Sequence, residues 1–140
     1  MNFDRLKKVY SKFNMHILAV KVGQLIEVHE QIGSADNKRI WKFKWLVLKT
    51  RKSGHPDGTF TLRWVSSWIV VEKIYPFAYP NFEKIILLDE YKVKKSKLYY
   101  IRDKVGKAAR MKSLISSERR GMNLLTETKQ VVLSPIVSAA

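Results

Sequence analysis

From Gly23 onward apolar and polar residues alternate with a period of two, broken by turn-forming clusters about every eight to twelve positions. In QLIEVHEQI, Ile26, Val28 and Ile32 fall on one side and Glu27 and His29 on the other, which predicts a half-buried strand. GSADNK supplies a loop. RIWKFKWLVLKTRK then sets Trp41, Phe43, Trp45 and Val47 against Lys42, Lys44 and Leu46, and its far end is a basic tip of Lys49, Arg51 and Lys52. After the loop SGHPDG, TFTLRWV places Phe60, Leu62 and Trp64 opposite Thr61 and Arg63. Ser66 and Ser67 interrupt the pattern before a fourth strand, WIVVEKIY, which is stopped by Pro76 and Pro80 because proline cannot donate to a central ladder. EKIILLDE is a fifth. With no helical period between about residues 24 and 92, the pattern predicts an all-β fold, a small antiparallel barrel or sandwich. Alternation alone does not separate those two shapes.

The flanks read differently. MNFDRLKKVYSKF repeats apolar residues at Phe3, Leu6, Val9, Tyr10 and Phe13, one helical face, with Arg5, Lys7, Lys8 and Lys12 elsewhere. This predicts a short basic amphipathic helix, either docked on the domain or serving as an organelle-targeting segment; Asp4 and the scarcity of Ser and Arg favour docking. The six-residue run MHILAV is too short for a secretory signal. Beyond Lys112 the alternation is lost, with a brief helix expected around Leu114 to Arg120, a stop at Gly121 and a low-charge tail whose QVVLSPIV is suited to contacting protein. The expected organisation is an N-terminal helical extension (1–22), a β-barrel (23–92), a basic arm (93–113) and a C-terminal extension (114–140).

Composition sharpens the choice of partner. The 140 residues fit one domain with arms, and 27 Lys and Arg against 12 Asp and Glu give a net charge of +15. Such a chain repels itself until a polyanion neutralises it. Nothing approaches eighteen consecutive apolar residues, so no membrane span is expected, which leaves nucleic acid or an anionic membrane face to supply the counter-charge, and the absence of cysteine excludes disulfides and thiolate metal sites. Residues 92–112 hold nine cations, Lys92, Lys94, Lys95, Lys97, Arg102, Lys104, Lys107, Arg110 and Lys112, against Asp103 alone, so +8 of the +15 lies in this one stretch. A solvated charged face is the plain alternative. The acids that usually interleave such a face are missing, however, and contact with phosphates, releasing their counterions, is the favourable way to hold these charges together. Tyr99 and Tyr100 can either bury their rings or pack on sugars and bases. Gly106, Ala108 and Ala109 allow close approach of the backbone to a phosphate groove.

Chemistry finds no constellation. HEQIG has Gly33 where a zinc-protease helix needs its second histidine, and Gly106-Lys107 has Ala108 where a phosphate-binding loop needs Ser or Thr. Asp89 and Glu90 are neighbours in a strand and point to opposite faces. His16, His29 and His55 are scattered. The expectation is a non-enzyme without metal, cofactor or small-molecule substrate.

The stretch KSKLYYIRDKVGKAARMK, with RI, TFTLR and P..YPNFEKI upstream at matching intervals, resembles the bacterial-type large-subunit ribosomal protein L19 family from about Gly23 to Lys112. The resemblance implies an SH3-like barrel with basic extensions. It also implies binding to large-subunit ribosomal RNA near the intersubunit face, contact with neighbouring ribosomal proteins, and a bridge to small-subunit RNA. By position, the family's basic motif falls on Lys92, Lys94, Lys95, Lys97, Arg102, Lys107, Arg110 and Lys112, and its strand arginine on Arg63. With Lys49, Arg51, Lys52, Tyr99, Tyr100 and Lys104 these are the expected RNA contacts. Three family glycines are replaced by Trp45, Trp68 and Val70. The indoles either complete the core or meet altered surroundings, as on an organellar ribosome, mitochondrial first, with plastid and bacterial cytoplasm as alternatives. The competing reading is a non-ribosomal basic SH3-like module that binds acidic proteins.

Overall fold

The computed structural model describes Arg5 and residues 17–18, 20–53 and 57–126. Seven strands follow in order: β1 (Ile17–Leu18), β2 (Gln24–Ile32), β3 (Arg39–Arg51), β4 (Thr59–Ser66), β5 (Ile69–Pro76), β6 (Phe82–Glu90) and β7 (Leu125–Thr126). Five form one antiparallel sheet in the order β5-β4-β3-β2-β6, and β1 pairs with β7 in a separate two-stranded ladder. The five sheet strands are the five expected from the sequence, the first three from their alternation and the last two as apolar runs between turn signals. Arg5 is helical, but the rest of the expected N-terminal helix lies outside the described residues, as do His16, His55 and the tail from residue 127.

One face of the sheet carries the main core. Ile26 and Val28 of β2, Trp45 and Val47 of β3, Phe60 and Leu62 of β4, Tyr75 of β5, and Phe82, Ile85 and Leu87 of β6 are all buried there. The ladder does not close, since β5 and β6 are edges and are not hydrogen-bonded to each other. The sheet nevertheless curls enough for the two edges to meet through side chains: the rings of Tyr75 and Phe82 lie 5.1 Å apart. Beneath them Glu30 of β2 is buried and accepts hydrogen bonds from Tyr75 Oη at 2.7 Å, Tyr79 Oη at 2.5 Å and Lys73 Nζ at 3.1 Å. Burial alone would raise its pKa, but the bonds from Tyr79, Tyr75 and Lys73 outweigh it and hold the carboxyl below its ordinary value.

Two local features differ from the sequence reading. The polar interruption is a two-residue turn at Ser67 and Trp68, whose φ of +40° and +78° are the signature of a type I′ hairpin, so Trp68 is not in a strand. Trp45 fills the core, whereas Trp68 is 94% exposed at the hairpin tip. The brief helix expected near Leu114 to Arg120 is instead a turn, and the chain after it lies along the β6 edge. Gly121 N donates to Leu87 O, Leu87 N to Met122 O and Leu124 N to Ile85 O, which competes with any helical pairing of these groups and brings Leu124 and Leu125 into the core.

Candidate nucleic-acid interface

The basic segment folds as a lobe closed at its base. Tyr91 pairs with Ser113, and Lys92 N donates to Lys112 O at 3.1 Å. The lobe is stapled to the outer face of the sheet through β3. A bulge makes this possible: Val47 opposes Leu62 and Lys49 opposes Thr61, so Leu48 has no partner in β4. Leu98 N donates to Leu48 O at 2.9 Å, and Leu48, Leu98 and Ile101 form a second buried cluster, flanked by Val22, Leu46, Val93, Tyr100 and Met111. Leu98 and Ile101 are three residues apart, the spacing that brings side chains into line along the 3-10 helix Tyr99–Asp103. With both anchors buried, the basic side chains between and around them are left outside.

Three residues per turn also separates adjacent side chains by about 120°, so the two tyrosines face different ways. Tyr99 is exposed, with Arg102 4.6 Å, Lys49 5.7 Å and Lys97 6.0 Å from its ring centre. The nearby Lys49 ammonium, ahead of Lys97 and Arg102, lowers the phenol's pKa, since the phenolate gains from the surrounding cations. Tyr100 is half-buried on the second cluster, with Lys104 at 5.2 Å and Lys95 at 5.9 Å. It helps line a groove of about 490 Å³ whose other walls are Lys92, Lys94, Lys95, Lys104, Met111 and Lys112. Five lysines and no acidic residue line this space. Neither tyrosine is a core residue of the sheet.

One acid ties the lobe to the hairpin. Glu72 of β5 accepts from Arg102 Nε at 2.8 Å and Nη2 at 2.7 Å, a two-pronged pair, and from Arg63 Nη1 at 3.0 Å. Arg102, ahead of burial and Arg63, dominates its pKa, which is lowered. Arg63 is itself buried, opposite Glu72 in the β4–β5 register, and reaches the lobe only through that carboxylate. It therefore does not stand with the free cations, and Arg102 is half committed to holding the lobe.

The other expected contacts divide by place. Lys92, Lys94, Lys95, Lys104 and Lys112 meet at the groove, and Lys49 and Lys97 share the Tyr99 side. Lys107 is exposed on the turn Gly106–Ala109, which opens at Gly106 with φ +61°, and Arg110 follows it, also exposed. Arg51 and Lys52 stand exposed at the end of β3. Glu72, Leu98 and Met111 were missed. The first was findable as the hairpin partner of Arg63, had the turn been placed at Ser67 and Trp68. Among the described residues, no group of three or more His, Cys, Asp or Glu side chains is placed to hold a metal ion.

The family model described as Ribosomal protein L19 matches residues 4–114, which include the whole lobe. The chain belongs to the ribosomal protein L19 family. Large ribosomal subunit protein bL19 of Clostridium botulinum strain Hall is 43% identical over 94 residues, 67% of this chain and 82% of that one. The bL19 of Amoebophilus asiaticus is 39% identical over 98 residues, 70% and 81% of the two chains. That of Nitratidesulfovibrio vulgaris is 36% identical over 110 residues, 78% and 95%. In this L19 chain the buried Leu124 and Leu125 lie beyond the matched segment, so part of the core is built from sequence outside the family pattern.

Proposed function

We propose that this protein is a structural constituent of the large ribosomal subunit that holds large-subunit ribosomal RNA with the 92–112 lobe. The observation that carries this is the groove: five lysines, Tyr100 and Met111 line it without a single acid. Lysines gathered around an acid-free hollow suit the closely spaced phosphates of folded RNA, while the exposed Tyr99, ringed by cations, suits a sugar or base. On this reading Lys49, Arg51, Lys52, Lys92, Lys94, Lys95, Lys97, Tyr99, Tyr100, Lys104, Lys107, Arg110 and Lys112 are the contact residues. Arg102 divides its charge between RNA and Glu72, and Arg63 acts by fixing Glu72.

The curled sheet, with Tyr75 against Phe82 across its two edges, fits a partly open SH3-like barrel serving as platform. A place near the intersubunit face, with neighbouring ribosomal proteins and a small-subunit RNA contact, is part of the proposal, and membership of the L19 family supports it. An organellar, mitochondrial ribosome now draws on the exposed Trp68 and Val70 and on the low-charge C-terminal tail, because Trp45 is accounted for by this chain's own core. Mass spectrometry of ribosomes from separated cell compartments tests that location. Co-sedimentation with large subunits at high magnesium tests the function: the protein is expected in the pellet, and its retention in the supernatant would favour a free module for acidic protein partners.

A further inference from the structure

The lobe leaves a second basic feature unused. The loop and outer part of β3 in the β2–β3 hairpin, residues 33–45, carry Lys38, Arg39, Lys42 and Lys44, all exposed, against Asp36, while the facing stretch of β2 adds Glu27 opposite Lys44 and the buried Glu30 opposite Trp41. From the same hairpin Trp41 projects 50% exposed. Its ring is braced: Phe43 meets it edge-on at 5.7 Å, and Phe43 in turn touches Trp45 at 5.9 Å and Trp64 at 6.2 Å, so the column is rooted in the core. The backbone beside it is open on one side as well, because β3 pairs with β4 only from Leu46 onward and Arg39 to Trp45 pair with β2 alone.

An indole braced edge-on by a column of rings, beside a free strand edge, with Arg39 on its own face and Lys42 and Lys44 across the strand, matches what unpaired nucleotides need. Alternation along β3 puts Arg39, Trp41 and Phe43 on one face and Lys42 and Lys44 on the other. A nucleotide strand crossing the free edge thus meets a stacking surface first and two ammonium groups next. The neighbouring β4–β5 tip gives the contrast. Its residues 64–71, WVSSWIVV, are as apolar but contain no Lys or Arg, so nothing there selects a polyanion.

We infer that the β2–β3 hairpin is a second RNA site, separate from the lobe, where Trp41 stacks on an unpaired base while Lys42 and Lys44 hold the adjoining phosphates. This rests on the reading of the protein as an RNA binder and adds a substrate class to it: single-stranded rather than duplex RNA.

The test uses the full chain with oligoadenosine of about twelve nucleotides and an RNA duplex of the same length. Trp41→Ala is expected to weaken single-strand binding by about tenfold to a hundredfold, to leave the duplex unaffected, and to keep the salt slope, because stacking releases no counterions. Trp41→Phe should restore most of the loss. Lys42→Ala with Lys44→Ala should instead lower the single-strand slope by about 1.4. Thermal melts confirm that each variant is folded, which the half-exposed position of Trp41 favours. Unchanged single-strand affinity in Trp41→Ala, or equal losses on both RNAs, overturns the inference. If Lys95→Ala with Lys104→Ala weakens binding while Trp41→Ala does not, the lobe reading survives and the hairpin site falls; if neither matters, both fall.

Discussion

Glu30 shows how a single residue can be essential to a fold and still escape a reading of alternation. It sits on the apolar side of β2, two places after Val28, and its hydrogen-bond partners Tyr75 and Tyr79 lie 45 and 49 residues away in sequence. No local pattern can supply partners so distant, whereas Ile26, Val28, Phe60 and Leu62 were legible as core because strand parity alone assigns their face. Its pKa is lowered in the folded state, so the stability it contributes is complete above the ordinary carboxylate value and is lost as pH falls through the folded one. Glu30→Gln should cost about 1–3 kcal/mol near neutral pH. Measured by thermal melting, the gap between wild type and variant should be constant from pH 6 to 8 and shrink below about pH 4.5. Glu72 titrates in the same direction but is present in both proteins, so the comparison isolates Glu30. Trp68 presents the opposite case, a residue at odds with its place. At φ +78° with its ring in solvent, it gains little from the site and suffers the strain of a left-handed backbone. Trp68→Gly should therefore raise stability by about 1 kcal/mol, read as a higher melting temperature. An unchanged or lower value would mean that the indole makes a contact in the free protein.

At the scale of elements, the strands were readable and the way the lobe attaches was not. The cations of residues 92–112 were evident from composition, but their support depends on the Leu48 bulge, and a bulge leaves no mark in a run as apolar as WLVL. Arg63 was misplaced among the free cations for a related reason. Its register opposite Glu72 follows from a two-residue turn, and two non-glycine residues at positive φ hid that turn behind a serine pair. The expected helix after Leu114 gave way because β6 offers an unpaired edge, whose backbone groups outbid a short and marginal helix for Gly121 and Leu124. Since the second cluster is small and distinct from the main core, the lobe should loosen without the sheet. Leu98→Ala is expected to destabilise the lobe locally by about 2–4 kcal/mol. Hydrogen exchange should then speed up for amides 98–104 and stay slow across the β2–β3 ladder. Equal acceleration in both places would show that lobe and sheet open as one unit.

For the molecule as a whole, the charge of +15 makes opposite demands on the free and the bound protein. Alone, the lobe is held by two hydrophobic anchors and the Glu72 latch while its like charges push apart, and Glu72 is the one acid among the described residues that meets two arginines. Added salt screens that repulsion, with the Debye length falling from about 30 Å at 10 mM to about 8 Å at 150 mM, so the free protein should gain roughly 3 °C in melting temperature over that range. Bound to RNA, the same cations gain their advantage from released counterions, and salt takes it away. If the lobe meets six to ten phosphates, affinity for large-subunit RNA should fall by about three to five decades between 50 and 200 mM salt on the duplex-DNA scale, somewhat less for irregular RNA. Lys95→Ala with Lys104→Ala, which removes two groove ammoniums and neither anchor, should reduce the binding slope by about 1.4 to 1.8 and also raise the melting temperature of the free protein at low salt. Gain in one measurement and loss in the other is the signature of charges arranged for a partner and not for the fold. If both variant effects had the same sign, the lysines would be holding the lobe together themselves, and the groove would have to be reassigned from RNA contact to architecture.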